Sequence, residues 1–150
     1  MLNKAFLHLC FIGVSFLLSF SSSANTTSLQ ENAKNLACIS GGIGESERDA
    51  LQKYQETQSF WLITAAKKTG EFLSDIKVRI LDKPSHKEVI SCVMNGPWLF
   101  VNLPIGQYEV EAIYVDKVSG KEQKIKKRTR IHSQDHHQML MYFDVNERAK

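Results

Sequence analysis

Asn95-Gly96-Pro97-Trp98-Leu99-Phe100-Val101-Asn102-Leu103-Pro104-Ile105-Gly106-Gln107-Tyr108-Glu109-Val110-Glu111-Ala112 carries the clearest structural signal in the chain. Asn-Gly-Pro is turn chemistry, because Gly accepts positive φ and Pro presets its own φ. Trp98 to Val101 has the aromatic and β-branched content of a buried strand. Leu103-Pro104-Ile105-Gly106 fits a type I turn, with Pro second and Gly fourth. From Tyr108 the pattern alternates: Tyr108, Val110, Ala112 and Tyr114 share one face, and Gln107, Glu109 and Glu111 the other. Such a hairpin does not persist alone in water and needs a second layer over its apolar side.

The flanks extend this pattern. Phe60 to Lys67 is apolar on both faces, as a strand covered on both sides requires. Lys68-Thr69-Gly70 turns the chain, Ile76, Val78 and Ile80 mark a second strand, and Val89 to Met94 a third beyond a loop at Asp82 to Lys87. Downstream, a two-residue turn at Ser119-Gly120 sets Val118 opposite Lys121. That register faces Tyr108 with Ile131, Val110 with Thr129 and Tyr114 with Ile125, and on the other side Glu109 with Arg130 and Glu111 with Arg128. Met139, Met141, Phe143 and Val145 close a mainly β, seven-stranded Greek-key β-sandwich over residues 59–146.

Residues 38–58 read as a Gly-rich turn and a short N-terminal α-helix. Ser46 is placed to cap it with Asp49 at the third position, and Leu51 and Tyr54 share one face as far as Thr57. A helix this short must dock on something to persist. The glycines Gly41, Gly42 and Gly44 do not make a phosphate cradle: no Lys-Ser/Thr follows, and Glu45 and Glu47 repel an anion there.

The first 24 residues read as a signal peptide: Lys4, an apolar run from Ala5 to Phe20, and a small-residue cleavage site at Ser22-Ser23-Ala24. The run of about 16 residues is shorter than the roughly 20 that span a bilayer, and no later segment is apolar enough, so no membrane span is expected after cleavage. Residues 25–37 read as a flexible polar segment. The address is therefore periplasmic or secreted. The net charge of +3, or +2 without Lys4, is too small to imply nucleic acid or membrane as a partner. Cys38 and Cys92 remain in a compartment that permits disulfides; they form either a bond pinning the N-terminal segment to the sandwich or two buried thiols.

Gly96-Pro97-Trp98-Leu99-Phe100, followed by Leu103-Pro104-Ile105-Gly106-Gln107-Tyr108-Glu109-Val110, resembles the carboxypeptidase regulatory-like domain. Thr69-Gly70-Glu71-Phe72-Leu73-Ser74-Asp75-Ile76-Lys77-Val78 looks like that family's first hairpin. With Ser40-Gly41-Gly42-Ile43-Gly44-Glu45-Ser46-Glu47-Arg48, the chain is similar to small exported bacterial proteins carrying this domain alone. The resemblance spans roughly Cys38 to Val145. It implies a prealbumin-like, immunoglobulin-like sandwich and an accessory role. The His-x-x-Glu zinc motif of metallocarboxypeptidases is absent, as is the Tyr-Arg-Gly-Ser terminus of the transthyretin-like hydrolases.

Two constellations invite chemistry. His132, Asp135, His136 and His137 cluster before the last strand, where imidazoles and a carboxylate suit a divalent metal; a solvated loop without groups to orient the rings is the competing reading. Lys124, Lys126, Arg128 and Arg130 share one strand face, suited to an acidic partner or polyanion. The register above pairs Arg128 and Arg130 with glutamates, leaving mainly Lys124 and Lys126 free; a solvated, charge-paired sheet face is the competing reading, and the one the usual behaviour of surface ion pairs favours. No nucleophile, base and acid converge at a recognisable motif. The expectation is a non-catalytic, cofactor-free accessory module with a protein partner in the cell envelope. The alternatives are a metal- or polyanion-binding protein and a hydrolase with an unrecognised site.

Overall fold

The computed structural model describes residues 36–133 and 136–145. The expected signal peptide, residues 25–35 of the polar segment, Asp135 and Asn146 lie outside the described residues. Along the chain run β1 (Ile39–Gly41), α1 (Glu45–Thr57), β2 (Phe60–Ala66), β3 (Ile76–Asp82), β4 (Glu88–Met94), β5 (Trp98–Val101), β6 (Gly106–Val115), β7 (Glu122–Ile131) and β8 (His137–Phe143). They form two four-stranded sheets, ordered β1-β5-β2-β8 and β4-β3-β6-β7. Every pairing is antiparallel except that of β2 with β8, a parallel contact that no local hairpin can make.

Strand alternation builds the core. Phe60, Leu62, Leu99, Val101, Met141 and Phe143 from the first sheet meet Ile76, Val78, Ile80, Val110 and Ala112 from the second in one buried cluster. The opposite face of the first sheet is covered in part by α1. The Tyr54 ring lies 6.1 Å from Phe100, which stacks 5.4 Å from Trp61, and Trp61 meets Trp98 edge-on at 5.2 Å. The apolar character of β2 on both faces thus has two separate causes, the second sheet and the helix. Burying Leu51 under α1 contributes roughly 2 kcal/mol to this docking.

Two glycines let the chain come this close. Gly42, at φ 93°, takes the left-handed conformation with the Trp98 ring against it, and a side chain on Gly96 would collide with the Gly41 backbone.

Three local expectations are corrected. The described residues contain eight strands rather than seven, because Ile39–Gly41, expected to belong to a Gly-rich turn, forms β1 and pairs with β5. The helix begins before Ser46: Gly44 stands at the N-cap without a side-chain cap, and Glu47 Oε2 instead accepts a hydrogen bond from the Ile43 N–H at 2.8 Å. The β6–β7 hairpin does not turn on Ser119-Gly120 alone. Asp116 Oδ1 accepts hydrogen bonds from the Val118 and Ser119 N–H groups, and the Asp116 N–H donates to Lys121 O at 2.9 Å. This wider turn moves the register by two residues, so Tyr108 faces Thr129, Glu109 faces Arg128 and Glu111 faces Lys126. A shift of two preserves which face each side chain takes and changes only its partner.

Side-chain ties join the two sheets at both open sides of the sandwich. On one, Cys38 before β1 is bonded to Cys92 of β4 (S–S 2.04 Å), and Ser40 Oγ accepts from the Asn95 N–H. On the other, Lys127 Nζ donates to Leu140 O of β8 at 2.7 Å, and the Gln123 amide exchanges hydrogen bonds with the Asp144 backbone. Side chains of β7 thereby occupy the Leu140 carbonyl of β8 and the Asp144 backbone just beyond it, groups that an edge otherwise offers to a foreign chain.

Candidate functional site

The outward face of the second sheet carries most of the fold's organised charge. Its residues lie in cross-strand rows set by the register: Val93, Lys77, Ile113 and Lys124; then Ser91, Arg79, Glu111 and Lys126; then Glu88, Leu81, Glu109 and Arg128; finally Gln107 and Arg130. One end is partly apolar, the middle is ion-paired, and the far end is cationic.

The middle row is the tightest. Glu111 is only 3% exposed, the least accessible carboxylate of the face. Lys126 Nζ lies 3.0 Å from Glu111 and 3.2 Å from Glu109. Arg79 bridges Glu88 at 2.6 Å and Glu111 at 3.4 Å, Lys124 approaches Glu111 at 3.8 Å, and Lys83 reaches Glu109 at 3.7 Å. The Lys126 hydrogen bonds hold both glutamates below the ordinary carboxylate range against the opposing effect of burial, and the same bonds raise Lys126. Hydrogen bonding to Glu88 likewise raises Arg79. A nearly buried carboxylate surrounded by cations stays ionised and fixes their positions.

This reverses the pairing expected from the sequence. Lys124 and Lys126, expected to be free, are the neutralised pair. Arg128 and Arg130 are both exposed and form no ion pair among the described residues. Arg128 stands opposite Glu109 and helps to lower its pKa through space, but the ion pairs to that carboxylate come from Lys126 and Lys83; Arg130 stands opposite the neutral Gln107. The cause is the two-residue register shift set by Asp116. Sequence reading also missed Arg79, Lys83 and Glu88, whose signal was the outward parity of Arg79 within Ile76-Val78-Ile80.

The chain matches no family model and no curated protein.

The histidines occupy other places. The His136 ring nitrogen Nδ1 lies 3.2 Å from Gln58 O, and since a carbonyl only accepts, Nδ1 carries the proton there. His137 stacks on Phe60 at 6.4 Å, and His132 follows β7. Among the described residues no three His, Cys, Asp or Glu side chains gather as metal ligands; Asp135 of the expected cluster lies outside them. No described helix is long and apolar enough to cross a membrane.

Proposed function

We propose that this chain is an exported, non-catalytic binding module of the cell envelope that recognises an acidic segment of a partner protein through Arg128 and Arg130. Seven of its strands, β2 to β8, are read as the Greek-key, prealbumin-like sandwich of a carboxypeptidase regulatory-like domain, with β1 added at an edge. The Cys38–Cys92 bond is compatible with an oxidising, exported location.

The observation that carries the docking assignment is that, among the described residues, Arg128 and Arg130 are exposed and form no ion pair, although Arg128 acts on Glu109 through space, beside a network in which Lys126, Lys124, Lys83 and Arg79 hold the neighbouring carboxylates. Guanidinium groups present planar, bidentate donors matched to carboxylates. Pairing through an exposed edge is the second reading; the disulfide and the Lys127 and Gln123 contacts tie the two sheets together at both open sides. Intermingled glutamates and the modest net charge favour a discrete acidic segment over an extended polyanion.

The test is cross-linking in the envelope of the parent cell. Reversing both arginines (Arg128→Glu, Arg130→Glu) is expected to abolish a discrete adduct, whereas Ser91→Glu on the same face leaves it. An adduct that survives the arginine reversals would place the interface elsewhere.

A further inference from the structure

A concavity lies on the other side of the molecule, beside α1. A groove of about 500 Å³ runs between the helix and Phe72, with Trp98 in its lining, a size within the usual range for small-ligand clefts. Helical spacing brings Arg48, Asp49, Gln52 and Gln55 to its helix wall. Phe72 forms the facing wall and is 52% exposed. Backbone bonds fix it there: it bridges Ala65, while the Ala66 N–H donates to Glu71 O at 2.7 Å and the Leu73 N–H to Thr64 O at 3.1 Å.

We infer that this groove binds a neutral oligosaccharide, independently of the arginine face. The assignment follows from the donor and acceptor inventory. Arg48, which also donates to Gly42 O, only donates, Glu45 and Asp49 only accept, and Gln52 and Gln55 do both. A hydroxyl-rich ligand, whose every group both donates and accepts, matches that mixture. An anion would meet Asp49 and Glu45 in the same lining. A cation would meet Arg48 in the same lining. The two aromatic side chains give the C–H face of a sugar ring an apolar surface on which to leave water.

Both tryptophans of the chain, Trp61 and Trp98, belong to one contact cluster at this groove, so intrinsic fluorescence reads its occupancy. The experiment titrates the purified protein with cellotriose, maltotriose and triacetylchitotriose. Spermidine and citrate serve as charged comparators. At least one trisaccharide is expected to give a saturable change at about millimolar concentration or below. Phe72→Ala and the Gln52→Ala, Gln55→Ala pair, all outside the main core, are expected to weaken that binding by about tenfold or more with unchanged thermal unfolding. The arginine-reversed protein should bind the sugar normally, which separates this inference from the docking proposal. Failure of all three sugars to saturate, equal affinity in both groove variants, or preferential binding of spermidine or citrate would overturn it.

Discussion

Replacing Cys38 and Cys92 together with serine tests how the sandwich is held shut. The bond spans 54 residues. In the chain-entropy account, closing a loop of that length restricts the unfolded ensemble by about 4 kcal/mol at 25 °C. With an unfolding entropy near 2.1 cal/mol/K per residue and roughly 110 ordered residues, that corresponds to a melting temperature lower by roughly 15–20 °C. The loss should be general, because the constraint acts mainly on the unfolded chain. It should also appear when the wild-type protein is reduced. On that side of the sandwich the Ser40–Asn95 hydrogen bond would remain as a local tie between β1 and the loop after β4. The assay is urea unfolding of the oxidised, reduced and double-serine proteins, followed by far-UV circular dichroism and tryptophan fluorescence. Reduced wild type and the variant should agree within about 0.5 kcal/mol, both well below the oxidised protein. If all three proteins share one midpoint, the bond does not act as a stabilising cross-link and the reasoning fails.

Other perturbations address the remaining contacts. Tyr108 Oη donates to Pro104 O at 2.9 Å across the turn before β6, a tyrosine-corner arrangement, so Tyr108→Phe should cost about 1 kcal/mol in denaturant unfolding. Glu109 and Glu111 have folded-state pKa values below their ordinary value of 4.5. Their contribution is complete above that value and disappears as pH falls through the lowered ones, so urea midpoints should decline below about pH 4.5, and less steeply in Glu111→Gln. Replacing Lys127 and Gln123 with alanine uncovers the Leu140 carbonyl of β8 and the Asp144 backbone beyond it; concentration-dependent self-association by light scattering is expected, whereas wild type shows less.

Much of the sandwich was legible because alternation is a local signal. The face assignment of β6 follows from Tyr108, Val110, Ala112 and Tyr114, and all four are buried. The two-faced character of Phe60 to Ala66 likewise announced cover on both sides. Three residues of β1 were too few to show a period, and their pairing with β5 depends on the close approach of Gly96 to Gly41. The parallel neighbour of β2 is a long-range choice with no hairpin to mark it. At the charged face, alternation put Lys124, Lys126, Arg128 and Arg130 on one strand, but the expected register gave them the wrong neighbours on β6. Ser119-Gly120 resembles a two-residue turn, but the Asp116 carboxylate organises a wider one, and the two-residue shift exchanges which cations are neutralised. The groove at Phe72 was not legible, because its exposure follows from a single bridge to Ala65.

The central claim concerns where a partner sits, and a photo-reactive amino acid reads position directly. Placed at Gln107, opposite Arg130 on the cationic end, it is expected to give one discrete adduct in living cells, lost when Arg128 and Arg130 are reversed to glutamate. Placed at Leu140, on the first sheet, it should give none. An adduct from Leu140 alone, or one from Gln107 that persists after the arginines are reversed, would contradict recognition through Arg128 and Arg130.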